Sequence, residues 1–237
     1  MNGNTKVVVW IRAWLVALMG LGLAACASTE VDPYEDFNRS VSSFNNTTDK
    51  YFFKPIAQGY QAVLPQPVEN SISNFFSNLN DPWVAINQLL QGKPKLALRD
   101  AGRFLVNSTM GIGGLFDLGD EMGLTKHQED FGQTLATWGV PRGPYIVLPF
   151  LGPSSGRGLA SQFVGNFGGN IQQPLRYIDH VPTRNTLFFT QLISLRASLL
   201  RAGSFASGDQ YLFLRDAYLQ RQEYLINDGV VEDSFLN

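Results

Sequence analysis

EDFGQTLATWGVPRGPYIVLPFLGPSSG, residues 129–156, joins a helix-compatible start to a density of proline and glycine that neither a helix nor a central strand tolerates. Residues 130–138 read as a helix. Beyond them Gly139, Pro141, Gly143, Pro144, Pro149, Gly152, Pro153 and Gly156 impose a long, shaped loop. Between these breakers lies a wholly apolar insert, residues 145–148 with Phe150 and Leu151, although exposed apolar surface costs about 25 cal/mol per Å². A stiff apolar loop bracketed by glycines predicts a lining or a gate for something apolar. Apart from residues 145–148 no run alternates with period two, so the class is all-α.

Outward from this stretch the chain reads as a series of short amphipathic helices. Asp32-Pro33 is expected to open the first, with Asp at the cap and Pro in the first turn. Phe37, Val41, Phe44, Thr48, Tyr51 and Phe52 fall on one stripe. The opposite face is Asn, Ser, Thr and Asp, a polar uncharged surface that suits either solvent or something other than bulk water. Pro55 starts a second helix that Pro65 and Pro67 end. Val68, Ile72, Phe75, Phe76 and Leu79 form the apolar face of a third, Asn80-Asp81-Pro82 breaks it, and Trp83, Ile86, Leu89 and Leu90 repeat the pattern up to Gly92-Lys93-Pro94. A helix over 95–108 places Ala97, Ala101, Phe104, Leu105 and Ser108 on its packed side. Residues 110–119, MGIGGLFDLG, lack a preceding strand, the Lys-Ser/Thr of a phosphate loop and GxGxxG spacing, so they read as a sharp turn with close backbone approach. Ser154 or Ser155 caps the next helix. Thr183 caps another to residue 200, with Leu187, Phe188, Gln191, Leu192, Leu195 and Leu199 facing inward. The last runs from about 207 to 227, with Gly229 just past its end.

At the N-terminus Lys6 and Arg12 accompany an apolar run over 13–25 that is too short to span a bilayer, the pattern of a signal peptide. Leu23-Ala24-Ala25-Cys26 resembles the bacterial lipoprotein box, in which the Cys is acylated and the chain is cut before it. The chain contains no second cysteine to pair with Cys26. Acyl chains on Cys26 would tether the mature protein at about 0.8 kcal/mol per buried methylene; no other cofactor and no metal is implied. Ala27 and Ser28, where an Asp would resemble an inner-membrane retention signal, favour the outer membrane. The expected division is a signal peptide over 1–25, the lipidated Cys and linker over 26–33, one helical domain over 34–228 and a tail over 229–237.

The formal net charge is −2 with no basic run, so the electrostatic footprint of a nucleic-acid binder is absent. Aromatic residues make up 12% and charged residues 16%, against about a quarter charged in a typical soluble domain. No stretch after Cys26 reaches the ~20 apolar residues that span a bilayer. Such a chain fits amphipathic helices lying in or around lipid, or a large apolar cavity. The two histidines, His127 and His180, sit in no catalytic motif, and residues 152–156 are not the GxSxG elbow of a hydrolase. His127-Gln128-Glu129-Asp130 lacks a second His at i+4 for a metal site. No constellation for an enzyme stands out.

Five separated motifs carry a family resemblance. DPYEDFNRSVSSFN (32–45), ISNFFSNLNDPWVAINQLLQGK (72–93), RFLVNSTMGIGGLFDLG (103–119), EDFGQTLATWGVPRGPYIVLPFLGPSS (129–155) and FLRDAYLQRQEYLINDG (213–229) together resemble the MlaA (VacJ) outer-membrane lipoproteins over nearly the whole mature chain. Arg157-Gly158 departs from the family's common Arg-Asp, and Pro141 stands where some members have Gly, which stiffens the loop. The resemblance implies a single ring-like domain of in-plane helices around a central amphipathic channel. It also implies a seat in the outer membrane beside a porin trimer, and movement of misplaced phospholipid from the outer leaflet toward a periplasmic lipid carrier. On that reading Gly139, Pro141, Arg142, Gly143, Pro144 and Tyr145 are expected at the channel rim or gate. Gly139 and Gly143 would be hinges, and Arg142 would either attract the head group or be a solvated tip charge. Phe37, Val41 and Phe44 are expected to contact acyl chains. A structural envelope lipoprotein and a lipid acyl hydrolase are the alternative functions; retained asymmetry on deletion would mark the first, and fatty-acid release the second.

Overall fold

The computed structural model describes residues 32–167, 174–201 and 208–229; the expected signal peptide, Cys26 and linker up to residue 31 and the expected tail from residue 230 lie outside the described residues. Helix α1 (Glu35–Thr48) passes through a π turn, Asp49–Phe53, directly into α2 (Lys54–Val63). The two helices expected separately are therefore one rod with one wide turn. Pro55 accounts for the join: it lacks an N–H and its ring crowds the carbonyl four residues back, and the wider i→i+5 turn lies just upstream of it. Asp32 does not cap α1. The cap position is Tyr34, and Asp32 instead accepts from Asn38 Nδ2 at 2.8 Å and from the Tyr211 hydroxyl.

Helix α3 (Gln66–Leu90) runs straight through its expected break, with Pro82 inside it. Pro82 removes one backbone bond, and buried side chains brace the turn around it. Asn78 Nδ2 donates to Ser108 Oγ at 2.9 Å, and Asp81 accepts from Lys126 Nζ at 2.9 Å. There follow α4 (Pro94–Thr109), α5 (Leu118–Glu121), α6 (Phe131–Thr137), the hairpin β1 (Tyr145–Leu148) and β2 (Gly152–Ser155), α7 (Gly156–Phe167), a 3-10 turn (Pro174–Tyr177), α8 (Val181–Arg201) and α9 (Gln210–Ile226). Ser155 Oγ accepts the Gly158 N–H at 3.1 Å, the expected cap of α7. Helix α8 starts ahead of Thr183, because the His180 ring takes the capping place and accepts the Thr183 N–H at 3.4 Å.

The strands pair antiparallel with Tyr145 opposite Ser155 and Leu148 opposite Gly152. Helix α1 packs on β1, β2 on α7 and α9, α7 on α6, α6 on α3, α3 on α8 and α8 on α2. Since α2 continues α1, the packing closes on itself as a ring. Among the described residues two separate apolar clusters stand out. Ala57, Ile193 and Ala197 meet with Phe53, Ile56, Tyr60 and Leu200 around them; Tyr145, Val147 and Tyr211 meet with Val41, Leu212, Tyr218 and Leu219.

On α3 and α4 the buried faces mix polar side chains with Phe76, Trp83, Val84, Ala85 and Ala97, and several leucines point out. Asn78, Asp81, Asn87 and Gln88 of α3, with Asp100, Arg103 and Asn107 of α4, are buried, while Leu89, Leu90, Leu98 and Leu105 are exposed. On α8 Ile193, Ser194 and Ala197 are buried; Leu192, Leu195 and Leu199, expected inward, face outward. No helix among the described residues is long and apolar enough to cross a membrane.

The ring is closed between α1 and β1 by two asparagines two helical turns apart. Asn38, 0% exposed, donates Nδ2 to Tyr145 O at 3.2 Å and accepts the Val147 N–H at 2.8 Å. Asn45 donates to Leu148 O at 2.9 Å and accepts the Phe150 N–H at 2.8 Å. Each carboxamide offers one donor edge and one acceptor edge, so the pair does the work of a neighbouring strand. Asn38→Ala is expected to lower stability by about 2–4 kcal/mol, since a buried N–H and a buried C=O lose their partners together. Melting in detergent micelles checks this, and a curve that overlays wild type would refute the clamp.

Candidate functional site

The loop over 139–156 is built on a fixed base. Asp130 Oδ1 accepts the Gln133 N–H at 2.9 Å and caps α6. Thr134 Oγ1 donates to Asn87 Oδ1 at 2.8 Å, and Trp138 Nε1 donates to Leu90 O at 3.0 Å. Glu129 accepts from Gln88 Nε2 at 3.2 Å and from Gln91 Nε2 at 2.7 Å. Burial raises the Glu129 pKa, and the Gln91 hydrogen bond opposes the rise. Together these bonds moor α6 to the C-terminal half of α3.

Gly139 ends α6. Its N–H donates to Ala136 O and the Val140 N–H to Leu135 O, both at 2.9 Å, and its φ of 84° is the left-handed geometry that this paired termination requires. Gly143 has φ 71°, and a Cβ there would meet Gly156 Cα at 3.2 Å. Three bonds stitch the loop to the start of α7: Gly156 N–H to Pro144 O at 3.1 Å, Arg157 N–H to Arg142 O at 2.9 Å and Arg157 Nη1 to Val140 O at 3.0 Å. In this conformation both glycines form fixed turns. Pro141 is exposed, whereas Arg142, Gly143 and Pro144 are half-buried.

Tyr145, expected at the rim, is only 1% exposed. Its ring packs against Tyr211 at 6.4 Å and Tyr218 at 5.8 Å. Burial, with Asp32 nearby, pushes its phenol up to about 12. It therefore packs inside the body and does not face solvent with the loop residues before it. Val41, expected to touch acyl chains, also belongs to this cluster, because it lies on the side of α1 that β1 covers. Phe37 and Phe44, expected to touch acyl chains, are exposed. Phe44 meets Phe150 edge to face at 5.2 Å, and Phe150 is itself 63% exposed at the hairpin tip with φ 64°. The Asn45 clamp holds that strained backbone.

Sequence reasoning missed a buried charge network beneath the 110–119 turn. Arg103, 3% exposed, pairs with Asp117, lies 3.7 Å from Asp81 Oδ2 and donates to Leu124 O at 2.8 Å. Asn107 donates to Asp117 Oδ1 at 3.0 Å and accepts the Gly119 N–H at 2.8 Å. Burial raises the Asp81 pKa against the pull of Lys126 and Arg103. At Asp117 burial acts upward, but hydrogen bonds from Asn107 and the Asp120 N–H, with Arg103, bring the net shift below the usual carboxylate range. The available signal was Asp100, Arg103 and Asn107 recurring at helical spacing opposite the apolar stripe. His127 Nδ1 lies 3.0 Å from Asp100 Oδ1, and among the described residues no group of three or more His, Cys, Asp or Glu could hold a metal ion.

The chain matches the family model described as MlaA lipoprotein over residues 30–225. The intermembrane phospholipid transport system lipoprotein MlaA of Escherichia coli (strain K12) is 34% identical over 232 residues, covering 92% of this chain and 90% of that one. The protein of the same name from Haemophilus influenzae is 30% identical over 230 residues, covering 92% and 91%. An uncharacterized protein of Rickettsia prowazekii is 34% identical over 195 residues, covering 81% and 76%. A solved structure described as "Structural basis for maintenance of bacterial outer membrane lipid asymmetry" superposes with a TM-score of 0.72 at 32% identity, covering 84% of this chain and 100% of that one. With sequence and fold shared over most of both chains, this chain belongs to the MlaA lipoprotein family.

Proposed function

We propose that this chain is an outer-membrane lipoprotein that removes mislocalised phospholipid from the outer leaflet and passes it to a periplasmic lipid carrier, so maintaining outer-membrane lipid asymmetry. The observation that carries the reading is the inverted packing: Leu89, Leu90, Leu105, Leu195 and Leu199 face outward while Asn87, Gln88, Asp100 and Arg103 are buried. An apolar exterior on a closed ring suits a body lying among acyl chains, with the buried polar groups bonded to one another inside it. The names of the Escherichia coli and Haemophilus influenzae relatives support the same reading.

In this proposal acyl chains on Cys26 anchor the protein on the periplasmic side. The rim over 139–145 is the entrance, with Gly139 and Gly143 as the points about which its tip would move. Phe37, Phe44 and Phe150 contact lipid tails. A ring without an energy source sets no direction of its own, so a porin trimer holds it in place and the carrier withdraws lipid from it. Cells lacking the chain are expected to accumulate outer-leaflet phospholipid, measured by membrane-impermeant labelling, with rescue by wild type but not by Cys26→Ala. Unchanged labelling on deletion would overturn the proposal in favour of a structural lipoprotein, and fatty-acid release by the purified protein would favour a hydrolase.

A further inference from the structure

Buried Arg103, half-buried Arg196 and Arg215 and exposed Arg201 are met by carboxylates. Arg103 faces Asp81 and Asp117, Arg196 faces Asp49, Arg201 faces Glu69 and Arg215 faces Asp32. Arg157 is the exception. It is 9% exposed, yet its side chain makes one hydrogen bond among the described residues, to the neutral carbonyl of Val140 at 3.0 Å, and no ion pair. Beside it, Arg142 has its Nε buried without any hydrogen-bond partner. The two residues are joined through their backbones by a 2.9 Å bond, and burial together with the Arg142 charge disfavours the Arg157 cation, against the opposing influence of Tyr218 and Asp130.

A guanidinium stripped of water is strongly disfavoured unless a counter-charge replaces the solvent. Asp130 is already engaged as the cap of α6. Residue 158 is a glycine, and a Cβ there would lie 2.8 Å from Ser154 Oγ and 3.3 Å from the Tyr218 hydroxyl. This chain carries glycine there and a second arginine on the loop, so the junction of loop and helix holds two cations with no anion bonded to either.

We propose that Arg142 and Arg157, with the Tyr218 hydroxyl, form an anion site that takes the phosphodiester of a lipid head group. The site rests on the transport reading and sharpens it, since it places recognition of the head group at the inner side of the rim. Planar guanidinium groups present forked donors that match phosphate oxygens, and a partly dehydrated setting strengthens the contact. Free phosphate shares this chemistry, so the test separates the two sources.

Purified full-length protein in nonionic micelles is titrated calorimetrically with short-chain phosphatidylglycerol, with diacylglycerol of the same chains and with inorganic phosphate. Wild type is expected to prefer the phospholipid over the diacylglycerol by at least about tenfold. Arg142→Glu supplies Arg157 with an internal carboxylate and is expected to weaken phospholipid binding about tenfold to a hundredfold, leaving diacylglycerol binding unchanged. Arg142→Gln falls between. Because the Arg142 side chain has no hydrogen-bond partner to lose, both variants should melt at or above the wild-type temperature, which separates lost binding from unfolding. Folded variants that bind phospholipid as wild type does overturn the site and leave transport standing. Phosphate that competes with phosphatidylglycerol supports the head-group assignment, whereas saturable phosphate binding without competition overturns it in favour of a free-anion site. Wild-type protein that binds no phospholipid, while cells lacking it keep normal outer-leaflet labelling, overturns the transport reading itself.

Discussion

Gly111→Ala is expected to destabilise the protein by about 3 kcal/mol or more, because the new methyl group has nowhere to go. A Cβ on Gly111 would lie 2.3 Å from Phe116 O and 2.5 Å from Asn107 O, and both are backbone atoms. A side chain could rotate away; these carbonyls cannot. Asn107 O accepts the Gly114 N–H at 2.7 Å, and the Phe116 N–H donates to Gly111 O at 3.0 Å, so relieving the clash breaks the bonds that shape the turn. Gly113→Ala is the control. Its φ of 71° strains an alanine, but the space around its Cβ is open, and the expected cost is about 1–2 kcal/mol. Thermal melting in micelles ranks the two, and Gly111→Ala melting above Gly113→Ala would contradict the close-approach account.

The second large effect is expected at Arg103. Removing one partner of a buried ion pair typically costs about 3–5 kcal/mol, since it leaves a charge without solvent or counter-charge. Arg103→Ala strands Asp117 and deprives Asp81 of one of its two cations, leaving Lys126 Nζ at 2.9 Å. It also empties the donor to Leu124 O, which ties the 110–119 turn to the segment leading into α6. The double variant Arg103→Met with Asp117→Asn is expected to recover part of the loss, because it removes the stranded acid as well. The single variant's deficit should narrow as the pH falls, since unpaired buried carboxylates bind protons more readily than paired ones. A double variant less stable than the single would overturn this assignment.

Much of the helical content was legible, because apolar spacing fixes a helix whatever covers its stripe. A helix beginning near Asp130 and Gly229 past the end of α9 follow directly from local backbone chemistry. The facing was not legible. Leu105 and Leu199 keep the same period whether they meet a protein core or a bilayer, and here they point outward. Pro82 was read as a break because its missing hydrogen bond is a local fact, whereas the buried partners of Asn78 and Asp81 that sustain the helix come from α4 and from Lys126. At the candidate site, Gly139 and Gly143 were identified by their backbone freedom. The pairing of Arg142 with Arg157 was not, since only the folded chain brings the loop over 139–145 back onto the first turn of α7.

The asparagine clamp between α1 and the hairpin bears on how the molecule assembles. Asn38 reaches partners 107 and 109 residues away, and Asn45 reaches partners 103 and 105 residues away. Contacts among neighbours such as α3, α4 and α5 enclose far shorter segments and meet a smaller entropic barrier to closure. The seam is held by carboxamides, with no continuous main-chain ladder across it, so opening it disturbs neither the rod nor the hairpin internally. It is accordingly expected to be made later than the joins among α3, α4 and α5 and to part before them under load, with the opening helix behaving as a latch of the ring.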